Sequence, residues 1–123
     1  MIEDQPPPIA QPDRKPVWEL VIVDAARQFA GWRSCWQLVD DMTARDKIGR
    51  ERYGTPLTTG NGRDHLVDAY QELLDGAVYM RAWLEENKHR EGHGDGDYLR
   101  MQASYSSILH DAYALRDMIS KRS

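Results

Sequence analysis

Apolar residues recur at helical spacing along most of this chain, and that periodicity limits the fold more than any other feature of the sequence. Residues three or four apart lie on one side of an α-helix, so a repeating apolar stripe predicts a helix that buries that side. Such stripes run through residues 17–29, 34–53, 63–87 and 97–121. No alternation of apolar and polar residues is long enough to argue for a sheet, although the β-branched run 20–23 leaves a short strand as an alternative. The sequence therefore predicts an all-α bundle of about four helices.

Proline and glycine positions predict where the helical part begins and where it is interrupted. Five of the six prolines lie in residues 1–16, which we expect to form a disordered or extended arm. The remaining residues, 17–123, are expected to form a single helical domain, because a chain of 123 residues is long enough for one modest core. Residues 54–62 are dense in turn-forming residues and predict a loop, with Asn61 as the N-cap of the helix that follows.

Charge and cysteine content argue against several classes of protein. The net charge is −4 with both signs spread along the chain, so there is no basic surface for duplex nucleic acid or for a membrane. Residues 1–16 lack the apolar segment of a secretory signal, and no apolar run has membrane-spanning length. Cys35 is the only cysteine, which leaves no disulfide framework and predicts a reducing cytoplasm.

Three tryptophans near the start of the helical part predict self-association. Trp18, Trp32 and Trp36 are a large apolar complement for so short a region. We expect their burial to require a partner subunit, which predicts a homo-oligomer, a dimer or larger.

Three carboxylates lie on one stripe of the longest predicted helix, with no basic residue beside them in the helical register. Asp68 and Glu72 are four residues apart, and Glu72 and Asp75 are three apart, so they are neighbours on the helix surface. Like charges at these spacings destabilise a helix by roughly 0.2–0.5 kcal/mol per pair. None of the positions three or four residues away carries a fixed positive charge. A divalent cation is the simplest candidate to balance this acidic stripe.

Asp46 is a charged residue on the apolar side of the second predicted helix. A charge on that side is costly unless it is paired or coordinates a ligand. An ion pair with Arg50, four residues later, and a role as a metal ligand are the two alternatives. If the second and third helices pack antiparallel, Asp46 would approach Glu72 and Asp75 in an oxygen-rich site suited to Mg²⁺ or Mn²⁺.

Basic residues flank the loop between these two helices. Lys47 and Arg50 lie near the end of the second helix, and Arg63 lies at the start of the third. Gly60 and Gly62 would let backbone N–H groups approach an anion at a helix N-terminus, and arginine binds phosphate through paired hydrogen bonds. The alternative is an ordinary glycine loop with surface arginines. Together with the acidic stripe, these residues favour a site for a metal ion and a nucleotide.

Residues 41–86 resemble a known family of enzymes. The matching features are the RYGTPL turn, the NGRD helix start, and AYQELLD leading into AVYMRAWLEE. These features resemble the MazG-like, all-α nucleoside triphosphate pyrophosphohydrolases, in a small form often found in bacteriophage genomes. Such proteins are helical bundles that usually form dimers or tetramers, hold Mg²⁺ with EExxE and ExxD elements on successive helices, and cleave the α–β phosphate bond. Residues 72–75 match ExxD, whereas EExxE is absent and only Asp40, Asp41 and Asp46 would substitute for it.

The resemblance implies a mechanism. Glu72, Asp75 and Asp46 would hold one or two divalent ions, and Asp68 or Asp41 would orient or deprotonate the attacking water. The phosphates would be bound by basic side chains and the base by an aromatic ring. The residues with these binding roles would be Arg50, Arg63, Lys47 and Tyr79. For the aromatic ring, packing in the core or at a subunit interface is the alternative.

A non-catalytic nucleotide binder is the competing function, because the acidic set of the family is incomplete in this chain. A phage protein that sequesters a signalling nucleotide of bacterial immunity is one example. A helical oligomer with a purely structural role is a third possibility. For all of them we expect the cytoplasm of a bacterial cell, or of the infected host if the protein is phage-encoded.

Overall fold

Four α-helices and one short 3₁₀-helix form the regular secondary structure of this protein. The structure, a computed structural model, describes Ile2 and residues 4–122. Its helices are α1 (Val17–Gln28), α2 (Cys35–Tyr53), α3 (His65–Glu86), the 3₁₀-helix Lys88–Arg90, and α4 (Gly96–Ser120). The described residues contain no β-strand, only an isolated antiparallel bridge between Pro16 and Thr58. The all-α prediction is confirmed, and the run 20–23 belongs to α1 instead of a strand.

Packing divides the described residues into two compact units, one of residues 4–63 and one of Ile2 with residues 64–122. In the first unit α1 packs against α2, and in the second unit α3 packs against α4. Among the described residues, no helix combines the length and the apolar character needed to cross a bilayer.

A glycine with positive φ ends α2, the second helix of the first unit. Gly54 follows α2 with φ 71°, and its N–H donates to the carbonyl oxygen of Arg50 at 2.8 Å. A left-handed residue at this position is a common helix terminator, and glycine adopts it without a Cβ clash. Burial is slight in this unit, because Ala25 is the only buried residue of α1 and α2 has none. Much of the apolar surface of these two helices therefore stays exposed within the unit.

The proline-rich arm lies along the loop that follows α2. Of the arm predicted at residues 1–16, Met1 and Glu3 lie outside the described residues. The N–H of Ile9 donates to the carbonyl oxygen of Asn61 at 2.7 Å, and the N–H of Val17 donates to that of Leu57 at 2.8 Å. The arm and the first residue of α1 are thus paired with a loop forty or more residues away in sequence. A turn interrupts the arm where the N–H of Arg14 donates to the carbonyl oxygen of Gln11 at 3.1 Å.

Helices α3 and α4 are antiparallel in the second unit. The rings of Trp83, near the end of α3, and Tyr98, near the start of α4, have centroids 6.1 Å apart. At the other end, Arg122 contacts Asp64, with 3.2 Å between Nη2 and Oδ1. The buried residues of this hairpin are Val67, Ala77, Leu84, Tyr98 and Ala112.

The N-cap of α3 is Asp64, so the prediction that Asn61 caps this helix is wrong. Asp64 Oδ1 accepts hydrogen bonds from the N–H groups of Leu66 at 3.1 Å and Val67 at 3.3 Å. Asn61 instead accepts one from the N–H of Arg63 at 3.1 Å, forming a turn ahead of the helix. Glycines with positive φ flank Asn61 on both sides, and helical geometry cannot begin among them.

Candidate functional site

The acidic stripe lies on α3 and includes two exposed carboxylates. Glu72 and Asp75 are exposed and Asp68 is half-buried. No ion pair joins Glu72 or Asp75 to any residue in the described part of the chain. By contrast, Glu85 on the same helix contacts Arg81 at 3.0 Å and Lys88 at 2.7 Å. Glu85 is therefore paired with basic residues, whereas Glu72 and Asp75 at the middle of α3 are not.

Hard cations such as Mg²⁺ prefer oxygen ligands, and the acidic stripe has two exposed carboxylates that could supply them. Within each unit, the described residues form no group of three or more His, Cys, Asp and Glu side chains that could hold a metal ion. Mg²⁺ is commonly bound through one or two carboxylates, with waters and substrate phosphates completing its octahedron. Glu72 and Asp75, three residues apart on one helix face, fit that role for an ion that arrives with a phosphorylated ligand.

Asp46 is paired with Arg50. The Oδ1 atom of Asp46 accepts a hydrogen bond from Arg50 Nε at 3.0 Å, and the aspartate side chain is only 16% exposed. This hydrogen bond is the main reason that the pKa of Arg50 is raised, and the charges of Asp46 and of Glu19 on α1 act in the same direction. The ion-pair alternative for Asp46 is thus the arrangement found.

The other acid and base predicted on α2 lie at its surface. Asp41 and Lys47 are both exposed, and neither forms an ion pair within the described residues. The structure therefore brings together only Asp46 and Arg50 among the residues predicted on this helix.

Arg63 contacts the proline-rich arm. Its Nη1 atom donates to the carbonyl oxygen of Pro6 at 2.7 Å. The N–H groups at the start of α3 already bond to the carboxylate of Asp64, which Arg122 pairs with in turn. An anion at this helix N-terminus would have to displace the carboxylate of Asp64, so the predicted anion site is occupied by the chain's own acid.

Tyr79 is the aromatic residue most available to a ligand on α3. It lies four residues after Asp75 on the same side of the helix and is 74% exposed. Trp83, one turn further, packs on Tyr98, and the guanidinium of Arg90 lies 5.2 Å from its ring centroid. Trp83 is therefore a packing residue, whereas Tyr79 offers a free ring face.

An apolar groove between α1 and α2 is a feature for which the sequence predicted no site. Its volume is about 340 Å³. Trp32 and Trp36, which border it, are 65% and 77% exposed. The number of tryptophans in this region predicted that the chain alone would not bury them all, but it did not predict a groove beside them. The residues that line this groove are Ala26, Ala30, Gly31, Trp32, Cys35, Trp36 and Val39.

Arg14 is a residue for which the sequence predicted no role. Its Nη1 atom donates to Thr59 Oγ1 at 2.9 Å, so a basic residue of the arm reaches the glycine-rich loop. The proline content of the arm predicted only that it would be non-helical. The contact depends on pairing between distant segments, for which the sequence contains no local pattern.

A scan against protein-family models, a search of curated proteins and a search of solved structures each found no match. The likeness of residues 41–86 to MazG-like enzymes therefore stands on the sequence features alone.

Proposed function

We propose that this chain binds nucleotides and is a Mg²⁺- or Mn²⁺-dependent nucleoside triphosphate pyrophosphohydrolase, acting on deoxynucleoside triphosphates. The observation that carries the proposal is the pair of exposed, unpaired carboxylates of Glu72 and Asp75 at the middle of α3. Two neighbouring carboxylates without a basic partner are an electrostatic cost in the free protein, and a cation bound with nucleotide phosphates would remove it.

Glu72 and Asp75 would hold the ion. When bound, the ion would offset the charge of the phosphates and make a coordinated water more acidic. Asp68, one turn before Glu72 and half-buried, would orient that water and accept its proton. The oxygen of the water would form a bond to the α-phosphorus, while the bond to the bridging oxygen breaks and pyrophosphate leaves. Tyr79 would stack against the base.

A non-catalytic nucleotide binder is the second candidate. The observation that favours it is the absence of any group of three metal-ligating side chains within either described unit. A protein that holds one ion through two carboxylates can retain a nucleotide and its Mg²⁺ without activating water. In that case Glu72 and Tyr79 would contribute to affinity, and no pyrophosphate would form.

We further propose that the protein works as a homo-oligomer, a dimer or tetramer. Exposed aromatic side chains in both units support this proposal: Trp32, Trp36, Tyr79 and Tyr113 are each at least 65% exposed. Aromatic residues are enriched at the buried centres of protein interfaces.

Pyrophosphate release from a panel of deoxynucleoside triphosphates with Mg²⁺ tests the function. We expect release by the wild-type chain and a loss of at least 100-fold in Glu72→Gln and Asp75→Asn, since each substitution removes a charged ligand. Glu86→Gln is the matched control, because Glu86 is an exposed acid at the end of the same helix and forms no ion pair with a described residue. It should retain the wild-type rate.

Equilibrium binding separates the two candidates. Nucleotide binding that requires Glu72, without any pyrophosphate, would assign the protein to the binder class. A chain that neither binds nor hydrolyses any nucleotide in the panel would contradict both candidates.

A further inference from the structure

The proline-rich arm is fastened to the loop after α2 along its length, and we call residues 4–17, the arm with the first residue of α1, the strap. Besides the two backbone hydrogen bonds from Ile9 and Val17, Arg14 binds Thr59 and Arg63 reaches back to Pro6. In the backbone pairs the strap supplies the N–H groups and the loop supplies the carbonyl oxygens. The strap and the loop are therefore one local structure within residues 4–63.

Arg14 is held by one edge of its guanidinium. The Nη1 atom donates to Thr59 Oγ1, and the plane of the group lies over Gly60, where an added Cβ would be 2.7 Å from Cζ and 2.9 Å from Nε. Among the described residues, neither Nε nor Nη2 of this arginine has an acceptor, and the neighbouring Asp13 does not pair with it. The Nε–Nη2 edge is the one that binds an oxyanion through two parallel hydrogen bonds.

Two buried polar groups beneath the strap have no partner. Thr58 and Asn61 are each 1% exposed, and within the described chain Thr58 Oγ1 and Asn61 Nδ2 make no hydrogen bond. A buried polar group left unpaired is destabilising, and contact with water removes this cost when the group is exposed. Closing the strap is thus opposed by desolvation at two positions.

We propose that the strap is a switch closed by a phosphate-type oxyanion bound at the Nε–Nη2 edge of Arg14. In the closed strap Thr59 and Gly60 already hold the guanidinium, so the anion binds without the entropy cost of ordering a free arginine. In the open strap Arg14 is an ordinary exposed side chain. A ligand shifts an equilibrium between two states only if it binds one state more tightly than the other. Because the guanidinium is ordered only in the closed strap, the anion binds the closed state more tightly.

A phosphate suits this edge better than a carboxylate. Lys15 follows Arg14 in the sequence, is exposed and forms no ion pair with a described residue, so a second cation is available to an anion at this edge. A phosphate dianion matches two adjacent cations, and its oxygens fit the spacing of the guanidinium donors. The site lies wholly in residues 4–63 and does not depend on the acidic stripe or on the proposed hydrolysis.

Amide hydrogen exchange of the full chain, measured by NMR without divalent metal, tests the switch. Inorganic phosphate is titrated at constant pH and ionic strength, with chloride as the replaced anion. We expect the Ile9 amide to exchange about elevenfold more slowly at a phosphate concentration of ten times Kd, because stabilisation of the closed state follows 1 + [L]/Kd. Amides of α3 should not respond. A second titration uses a deoxynucleoside monophosphate, and comparing the two shows whether the site prefers free or esterified phosphate.

Two variants remove the paired Nε and Nη2 donors of Arg14 from this site in different ways. Arg14→Lys keeps the charge but loses the paired donors, and Gly60→Ala keeps Arg14 but places a methyl group where its guanidinium lies. Both should abolish the response of the Ile9 amide. Arg45→Gln, which removes an exposed arginine of α2 without an ion pair in the described chain, should respond like wild type.

Several outcomes would overturn the proposal. It fails if phosphate leaves the Ile9 amide unchanged, if phosphate accelerates its exchange, or if Arg14→Lys and Gly60→Ala respond as the wild type does. Glu72→Gln should keep the full phosphate response even if it abolishes pyrophosphate release. The strap and the proposed hydrolysis can therefore fail independently.

Discussion

Arg122, which follows α4, forms an ion pair with Asp64, the residue that caps the start of α3. One carboxylate therefore has two tasks: it accepts the first N–H groups of its own helix and it holds the end of the neighbouring helix. The pair fastens the open end of the α3–α4 hairpin, while Trp83 and Tyr98 pack at the end with the connecting turn.

Substitutions at Asp64 should separate these two tasks. Asp64→Asn retains a good N-cap but loses the ion pair, whereas Asp64→Ala loses both, so we expect Asp64→Ala to be the less stable by about 1 kcal/mol. Urea unfolding followed by circular dichroism measures the difference. Arg122→Gln should destabilise the wild type but have no further effect in Asp64→Asn; equal effects in both backgrounds would show that the pair contributes nothing.

Stability should fall in acid because two helix-capping carboxylates have lowered pKa values. The pKa of Asp95 is lowered chiefly by its hydrogen bonds from Arg90, and next by the N–H of Tyr98. The pKa of Asp64 is lowered first by its hydrogen bond from Arg122. A lowered pKa stabilises the fold above the value of the unfolded chain, about 3.9 for aspartate. That stabilisation is lost as the pH falls through the folded value.

Melting temperature measured between about pH 6 and pH 2 checks this expectation. The wild type should lose stability steeply below about pH 4, and Asp95→Asn should show a shallower loss because one of the titrating carboxylates is gone. Asp117→Asn is the control, since Asp117 also forms an ion pair, with Lys121 at 2.9 Å, but lies at the surface of α4 and caps no helix start. An acid profile of Asp95→Asn identical to that of the wild type would contradict the assignment.

Two glycine-to-alanine substitutions in residues 4–63 should act in opposite directions. Gly49 lies inside α2, and a Cβ there would meet no atom within 4 Å, so Gly49→Ala should stabilise by about 0.5–1 kcal/mol through helix propensity. Gly60 has φ 66° and lies under Arg14, so Gly60→Ala should destabilise by about 1–3 kcal/mol. Urea midpoints compare them directly. A stabilising Gly60→Ala would show that the loop is not held as described.

The exposed tryptophans should govern self-association. If Trp32 and Trp36 lie in a subunit interface, the wild type should sediment as a dimer or larger at about 100 µM. A Trp32→Ser, Trp36→Ser double variant should have a Kd for self-association at least tenfold higher than that of the wild type. Met118→Ser removes an exposed apolar residue from α4 and is the control for a general loss of apolar surface. A monomeric wild type at this concentration would contradict the oligomer.

Helix positions could be predicted to within two residues because they follow from local periodicity and end signals. The predicted segment 34–53 became Cys35–Tyr53, with Gly54 at its end, since the αL conformation of a glycine is a local property. The N-cap of α3 was misplaced by three residues. Asn61 and Asp64 are equally suitable by residue type, and the choice depended on the backbone angles of Gly60 and Gly62.

The candidate site was harder to predict, because side-chain pairing is a matter of geometry. For Asp46 two partners were compatible with the helical projection, and the observed pair uses Arg50 on the same helix. The exposure of Glu72 and Asp75 could be anticipated from their position opposite the apolar stripe. The absence of a third metal-ligating side chain within either described unit could not be anticipated, because it depends on how the helices pack.

By itself, the sequence determined the all-α class, the four helical segments and the acidic stripe of α3, because these depend on residues within one or two helical turns of each other. Only the tertiary structure decided that the proline-rich arm pairs with the loop after α2, that Arg14 rests on Gly60, and that Trp36 stays exposed. Such contacts join residues more than forty positions apart or depend on which surfaces find a partner. Their free energies come from desolvation and donor geometry, which no local pattern of residue types encodes.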